Sequence, residues 1–185
     1  MGRRLLFLGP PGAGKGTQAE MLARALGVPH ISTGAMLRDA VAEGSELGQK
    51  VEAVMASGAL VSDDLVLALV KDRISRDDAS CGYLLDGYPR NAAQAKALAD
   101  TVGASGIELA VLLEVDTDEL VARLLNRAAE QGRADDTEAV IRHRLDVYQT
   151  ETSPLVAHYG DAVVAVDGTG TIDEVFSRIV IALAR

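Results

Sequence analysis

Between an apolar stretch and a helical pattern, the chain carries "GPPGAGKGTQ" at residues 9–18. Glycines there let successive backbone N–H groups converge on phosphate oxygens. The following helix N-terminus adds a favourable dipole, and Lys15 supplies a point charge for the β/γ oxygens. Strand, spacing and lysine together point to a nucleoside triphosphate rather than to a glycine-rich turn that binds nothing. The general phosphate loop reads G-x-x-x-x-G-K-[ST], and its final hydroxyl sits on magnesium. Gly16 follows Lys15 here, and the hydroxyl arrives one residue late as Thr17.

Three further stretches hold residues fit for phosphate chemistry. In "ISTGAMLR" (31–38), Ser32 or Thr33 can cap a helix, and Arg38 stands one turn in, where a guanidinium could fork onto a second phosphate. In "YLLDGYPR" (83–90), Asp86 ends an apolar strand, the place where ligands collect in open α/β sheets. A carboxylate there can hold magnesium through water, or simply cap a turn; Pro89 ends the turn and Arg90 projects from it. In "RLLNRAAEQGRADD" (123–136), Arg123 and Arg127 lie one turn apart, Arg133 lies across the loop, and Arg144 follows on the next helix. Like charges at that spacing repel, so an anionic partner is expected, either phosphate or the nearby Asp135 and Asp136.

Five short apolar runs must position these residues: Arg4–Leu8, Val28–Ser32, Gly82–Asp86, Leu109–Val115 and Ala162–Val166. Helical spacing fills the intervals, as in 116–129, where Leu120, Leu124 and Ala128 recur every four residues. Asp116 can cap that helix while Glu119 reaches back to it. In 136–152, Ile141, Leu145 and Tyr148 fall on one face. Strands apolar on both faces, separated by helices, predict an α/β fold around a parallel sheet. Two intervals interrupt the alternation: 33–75 holds two or three helices, and 127–135 reads as a polar loop. Both are candidates for mobile elements over a site. His30, His143 and His158 are scattered and read as surface or packing residues, as does Tyr88.

At 185 residues the chain fits a single domain, and its composition is that of an ordinary globular protein. A net charge of −9 argues against a general nucleic-acid binder, since phosphate tracking needs excess Lys and Arg. The single Cys81 allows no internal disulfide, which favours a reducing, cytoplasmic compartment. Leu5–Leu8 is too short for a membrane or secretory segment, so no membrane partner is expected.

The segments "GPPGAGKGTQ", "STGAMLR", "SGALVSDDLV", "LLDGYPRNAAQA" and "GRADD" resemble those of adenylate kinases in order and approximate spacing, across nearly the whole chain. The resemblance implies a phosphate-loop fold of five parallel strands, with an AMP-binding insertion at 32–61 and a short lid at 127–133. It also implies a monomer that converts MgATP and AMP into two ADP. Lys15-Gly16-Thr17 is similar to that family's own loop, in which magnesium is held largely through water and the nucleotides. By the same resemblance Gly12, Ala13, Gly14, Lys15, Gly16 and Thr17 would wrap the ATP phosphates, while Arg123 and the backbone near Gly170 would border its adenine. Thr33, Arg38, Ala59, Leu60, Val61, Gly87, Tyr88, Pro89, Arg90 and Gln94 would hold AMP. Arg127, Arg133 and Arg144 would close over the phosphates, and Asp86 would anchor hydrated magnesium. The lid has no room for zinc-binding cysteines, so no zinc is expected. Ala35 stands where the family commonly carries an acid. A UMP/CMP kinase is the nearest alternative, against which Gln94 and Thr33 speak; a phosphate-loop switch acting through a partner is the alternative of another class.

Overall fold

The computed structural model describes residues 3–103, 106–131 and 137–184. Leu5, Leu6, Phe7 and Leu8 are all buried, so the strand they form must have protein on both faces. It does. Strand β1 (Arg4–Leu8) is central, flanked by β3 (Tyr83–Asp86) and β4 (Leu109–Glu114), with β2 (His30–Ser32) and β5 (Val163–Asp167) outside them. The order is β2-β3-β1-β4-β5 and every pairing is parallel. Because side chains alternate along a strand, Leu5 and Phe7 enter one core and Leu6 and Leu8 the other. Helices α1 (Lys15–Leu26) and α9 (Ile172–Leu183) cover the first face, through Leu22 and Ile179. On the second lie α4 (Asp63–Ile74), α5 (Ala92–Val102) and the short α8 (Leu155–Tyr159), through Val70, Leu98 and Leu155. The chain winds outward from β1 in opposite directions for β2 and β4, so the crevice beyond the carboxyl end of β1 lies at a topological switch point.

All five expected strands form, with small shifts at their ends. The first of these, β2, starts at His30 rather than Val28, for a local reason. Gly27 closes α1 in the left-handed region and Val28 N–H turns back to Ala23 O at 3.1 Å, after which Pro29 has no N–H to pair.

Three helices, α2 (Thr33–Ala42), α3 (Glu46–Ser57) and α4, fill the interval between β2 and β3. Helices α2 and α3 cross closely because Gly48 has no side chain: a Cβ there would stand 2.1 Å from Ala40 O. Helix backbone cannot step aside cheaply, and overpacking typically costs about 1–3 kcal/mol. Gly48→Ala should therefore lower the urea midpoint by the equivalent of about 2 kcal/mol. An unchanged midpoint would mean that α2 and α3 are free to part.

The stretch expected as a polar loop from 127 is a correction. Helix α6 (Thr117–Gln131) runs through Arg127 to 131, and residues 132–135 of that stretch lie outside the described residues. Asp116 accepts from Asp118 N–H at 2.9 Å, but Glu119 turns its carboxylate to Arg123 instead of back to the cap. Helix α7 (Glu138–Val147) follows, then one π-helical turn, Tyr148–Thr152, marked by Ser153 N–H on Tyr148 O at 2.8 Å. Periodicity does not foretell that turn. Its consequence is that the Thr152 hydroxyl donates to Arg90 O at 2.7 Å.

Candidate active site

The strand ends and the helix that follows β1 build a cleft of about 770 Å³ beyond the carboxyl edge of the sheet. The phosphate loop forms its floor. Gly14 caps α1 in the left-handed conformation (φ 88°), which leaves the first N–H groups of α1 facing the cleft. Gly12 also has positive φ, and a Cβ on it would meet Leu120 O and Leu124 Cγ at 3.0 Å. Ala13 is buried beneath the loop, while Gly12, Gly14, Lys15, Gly16 and Thr17 border the cleft.

Lys15 folds back over its own loop, donating to Gly9 O at 2.7 Å and Pro10 O at 2.8 Å. Burial pulls its pKa down to about 8; Asp86 opposes this, and Arg90, Arg144 and Arg127 add to it. Opposite it, Asp86 ends β3 with its carboxylate almost buried. Burial pushes that carboxyl up, but the His30 imidazole, Lys15 and Arg90 together outweigh burial and hold it below the ordinary range. His30 Nε2 lies 3.5 Å from Asp86 Oδ2, at the long edge of hydrogen-bonding distance, and has no closer partner among the described residues. The reading of His30 as a surface or packing residue is thus corrected: it borders the cleft beside the site's acid. His143 and His158 are indeed exposed.

Could this acid hold a metal? A Cβ on Gly16 would be 3.7 Å from Asp86 Oδ2, so the carboxylate faces the start of α1, where triphosphate oxygens would lie. Among the described residues, no group of three His, Cys, Asp or Glu could ligate a metal directly. One carboxylate beside a phosphate loop suits a hydrated Mg²⁺ brought in by nucleotide, since that ion keeps several waters.

A second, smaller cleft opens between α2, the end of α3 and the turn after β3. It is bordered by Thr33, Arg38, Ala59, Leu60, Val61, Gly87 and Gln94. Thr33 is buried and donates to Gly87 O at 2.9 Å, tying β2's end to β3's turn. Ser32, one residue earlier, is the helix cap, accepting from Ala35 N–H at 3.4 Å. Gln94 is buried, its Oε1 accepting from Arg90 N–H at 2.7 Å and its Nε2 donating to Asp63 Oδ1 at 2.8 Å. Tyr88 is a packing residue whose hydroxyl reaches Gln94 O at 3.2 Å; the peptide it makes with Pro89 is cis.

Arg90 and Arg144 border both clefts, and with Lys15 and Pro89 they also line a third small pocket that shares residues with each. Arg123 and Arg127 flank the large cleft. Arg123 further donates to Gly168 O at 3.0 Å, which fastens α6 to the turn carrying Gly170. Gly170 itself does not border the cleft, and Arg133 lies outside the described residues. Among the described residues, seven Lys or Arg and three Asp or Glu border the large cleft, in a chain whose net charge is −9. The basic residues are therefore concentrated around the clefts.

A family model described as adenylate kinase matches residues 7–164 of the chain. The chain belongs to the adenylate kinase family. It is 53% identical over 186 residues to an adenylate kinase from Kocuria rhizophila, covering 98% of this chain and 99% of that one. An adenylate kinase from Synechococcus sp. (strain RCC307) is 54% identical over 188 residues, with all of both chains covered. One from Mycobacterium sp. (strain MCS) is 50% identical over 184 residues, 98% of this chain and 99% of its own. The family's fold, a five-stranded parallel sheet between helices, is the one found here.

Sequence reasoning missed four contributors: His30, Asp63, Asn91 and Thr152. Asp63 and Asn91 lay inside stretches that carry the resemblance, yet their types alone assigned them no task. His30 could have been found from strand periodicity, standing two residues before Ser32 and so on the same face of β2.

Proposed function

We infer that the protein catalyses reversible transfer of the terminal phosphoryl group of ATP to AMP, giving two ADP, and so balances the adenine nucleotides. The placing of Arg90 and Arg144 on the borders of both clefts, with Lys15 on that of the larger one, carries this reading. Phosphoryl transfer has a loose transition state with charge spread over the equatorial oxygens, so it needs fixed cations and alignment, not a protein nucleophile or base.

In this reading ATP lies with its phosphates on the residue 12–17 loop and its adenine toward Arg123 and the 168–171 turn. AMP fills the smaller cleft, its phosphate on Arg38 and Arg90 and its base on Gln94, Thr33 and the 59–61 backbone. Arg127, Arg133 and Arg144 approach the transferred group from the α6–α7 side. Residues 32–61 and 127–133 close over the pair and keep water from taking the phosphoryl group. Hydrated Mg²⁺, held by Asp86 through water, would neutralise phosphate charge when bound. No helix among the described residues is long and apolar enough to cross a membrane, and we place a monomer in the cytoplasm.

Diphosphate formation from MgATP with AMP, CMP or UMP tests the assignment. AMP should be strongly preferred. Comparable use of CMP would make this a pyrimidine monophosphate kinase, and ADP with free phosphate in the absence of any acceptor would favour a phosphate-loop switch.

A further inference from the structure

We propose that Asp63, the first residue of α4, is a specificity-determining positioning residue of the smaller cleft. Its carboxylate, acting with the Arg90 N–H, fixes which end of the Gln94 amide accepts and which donates. The cleft then accepts a six-amino purine and refuses its six-oxo counterpart. This deepens the reading above and rests on it.

A primary amide is nearly symmetric in shape, and turning it over exchanges its acceptor and donor. Here the two partners forbid the exchange. The Arg90 backbone N–H can only donate, and it meets Gln94 Oε1 at 2.7 Å. The Asp63 carboxylate can only accept, and its Oδ1 takes Gln94 Nε2 at 2.8 Å. Turned over, the buried amide would set NH₂ against N–H and carbonyl against carboxylate, two repulsive contacts at once. Asn91 secures the carboxylate in turn: its Nδ2 donates to Asp63 Oδ1 at 3.1 Å and Oδ2 at 3.4 Å, while its Oδ1 caps α5 by accepting from Gln94 N–H at 2.8 Å.

Among the described residues each end of the Gln94 amide keeps one unused site, a lone pair on Oε1 and an N–H on Nε2, and Gln94 borders the cleft. Adenine offers an amino donor beside a ring-nitrogen acceptor, which matches that fixed order. Hypoxanthine, with the same ring shape, offers a carbonyl and a ring N–H in reversed order, and each would face its like. Cytosine offers adenine's order on a smaller ring, so Asp63 contributes nothing to its rejection; ring size does.

The test is kcat/KM for AMP, IMP and CMP, with MgATP as donor, in the full-length protein and in Asp63→Ala and Asp63→Asn. In Asp63→Ala the AMP:IMP ratio should fall about tenfold. KM for AMP should rise while KM for ATP and the AMP:CMP ratio stay put. Asp63→Asn should restore the AMP:IMP ratio, because Asn91 directs the new carbonyl to the Oδ1 position, where Gln94 can still donate. Should Asp63→Ala not fold, Asp63→Ser replaces it, a good helix-start residue too short to reach the amide. An unchanged AMP:IMP ratio in the truncated variant overturns the proposal. So does an Asp63→Asn variant as impaired as Asp63→Ala, which would mark the acid as a helix-dipole charge only. Failure of the wild type to prefer AMP over CMP and UMP would instead sink the functional reading beneath it.

Discussion

Replacing Arg90 by alanine is expected to lower kcat about a thousandfold, the scale on which an arginine stabilises a phosphoryl-transfer transition state. The side chain borders both clefts beside Arg144, and loss of one of these two guanidiniums leaves charge on the transferred group uncompensated. The fold should survive, because what anchors this segment is backbone. Arg90 N–H is held by Gln94 Oε1 and Arg90 O by the Thr152 hydroxyl, and neither bond involves the guanidinium. The guanidinium's own Nε bond to Gly87 O, at 2.9 Å, is lost in the variant but crosses only one turn. Steady-state kinetics with MgATP and AMP, alongside a thermal melt, provide the measurement. Arg90→Lys should recover little, since an ammonium cannot reproduce a planar fork on phosphate. Near-normal turnover in Arg90→Ala would remove this residue from the catalytic set.

For Lys15→Met the expected loss is about 10²–10³ in kcat, the range seen when one preorganised donor to a developing charge is removed. Its titration adds a second signature. With the folded pKa near 8 and the ordinary lysine value at 10.5, the unfolded chain holds a proton between those limits that the folded one has shed. This group's contribution to stability therefore rises with pH across that window, and its full cost is present below about pH 8. Triphosphate oxygens reverse the depression, because an anion beside the ammonium favours its charged form. ATP binding at pH 8.5 should then take up a proton. Calorimetry in buffers of different ionisation enthalpy would measure this, and the uptake should vanish in Lys15→Met. Binding heats independent of buffer at that pH would contradict the account.

What the sequence alone determined is what neighbours within a few residues dictate. Two-sided apolar runs at Leu5–Leu8 and Tyr83–Leu85 required a parallel sheet covered on both faces, and both are buried there. The glycine spacing before Lys15 marked a loop whose N–H groups converge on phosphate, and in it Gly12 and Gly14 take positive φ. These signals are local, so they survive without knowledge of the rest. Tertiary structure alone decided which distant groups meet. Parallel pairing of Ser32 with Asp86 sets the register that brings His30 to the same carboxylate, although the two residues stand 56 positions apart with three helices between them. The Asp63–Gln94 bond joins the first turns of two helices, 31 residues apart. One π-helical turn, invisible to a 3.6-residue period, rotates Thr152 onto Arg90 O. Such contacts depend on strand order, crossing angles and helix phase, which accumulate over the whole path of the chain and leave no mark on the residues beside them.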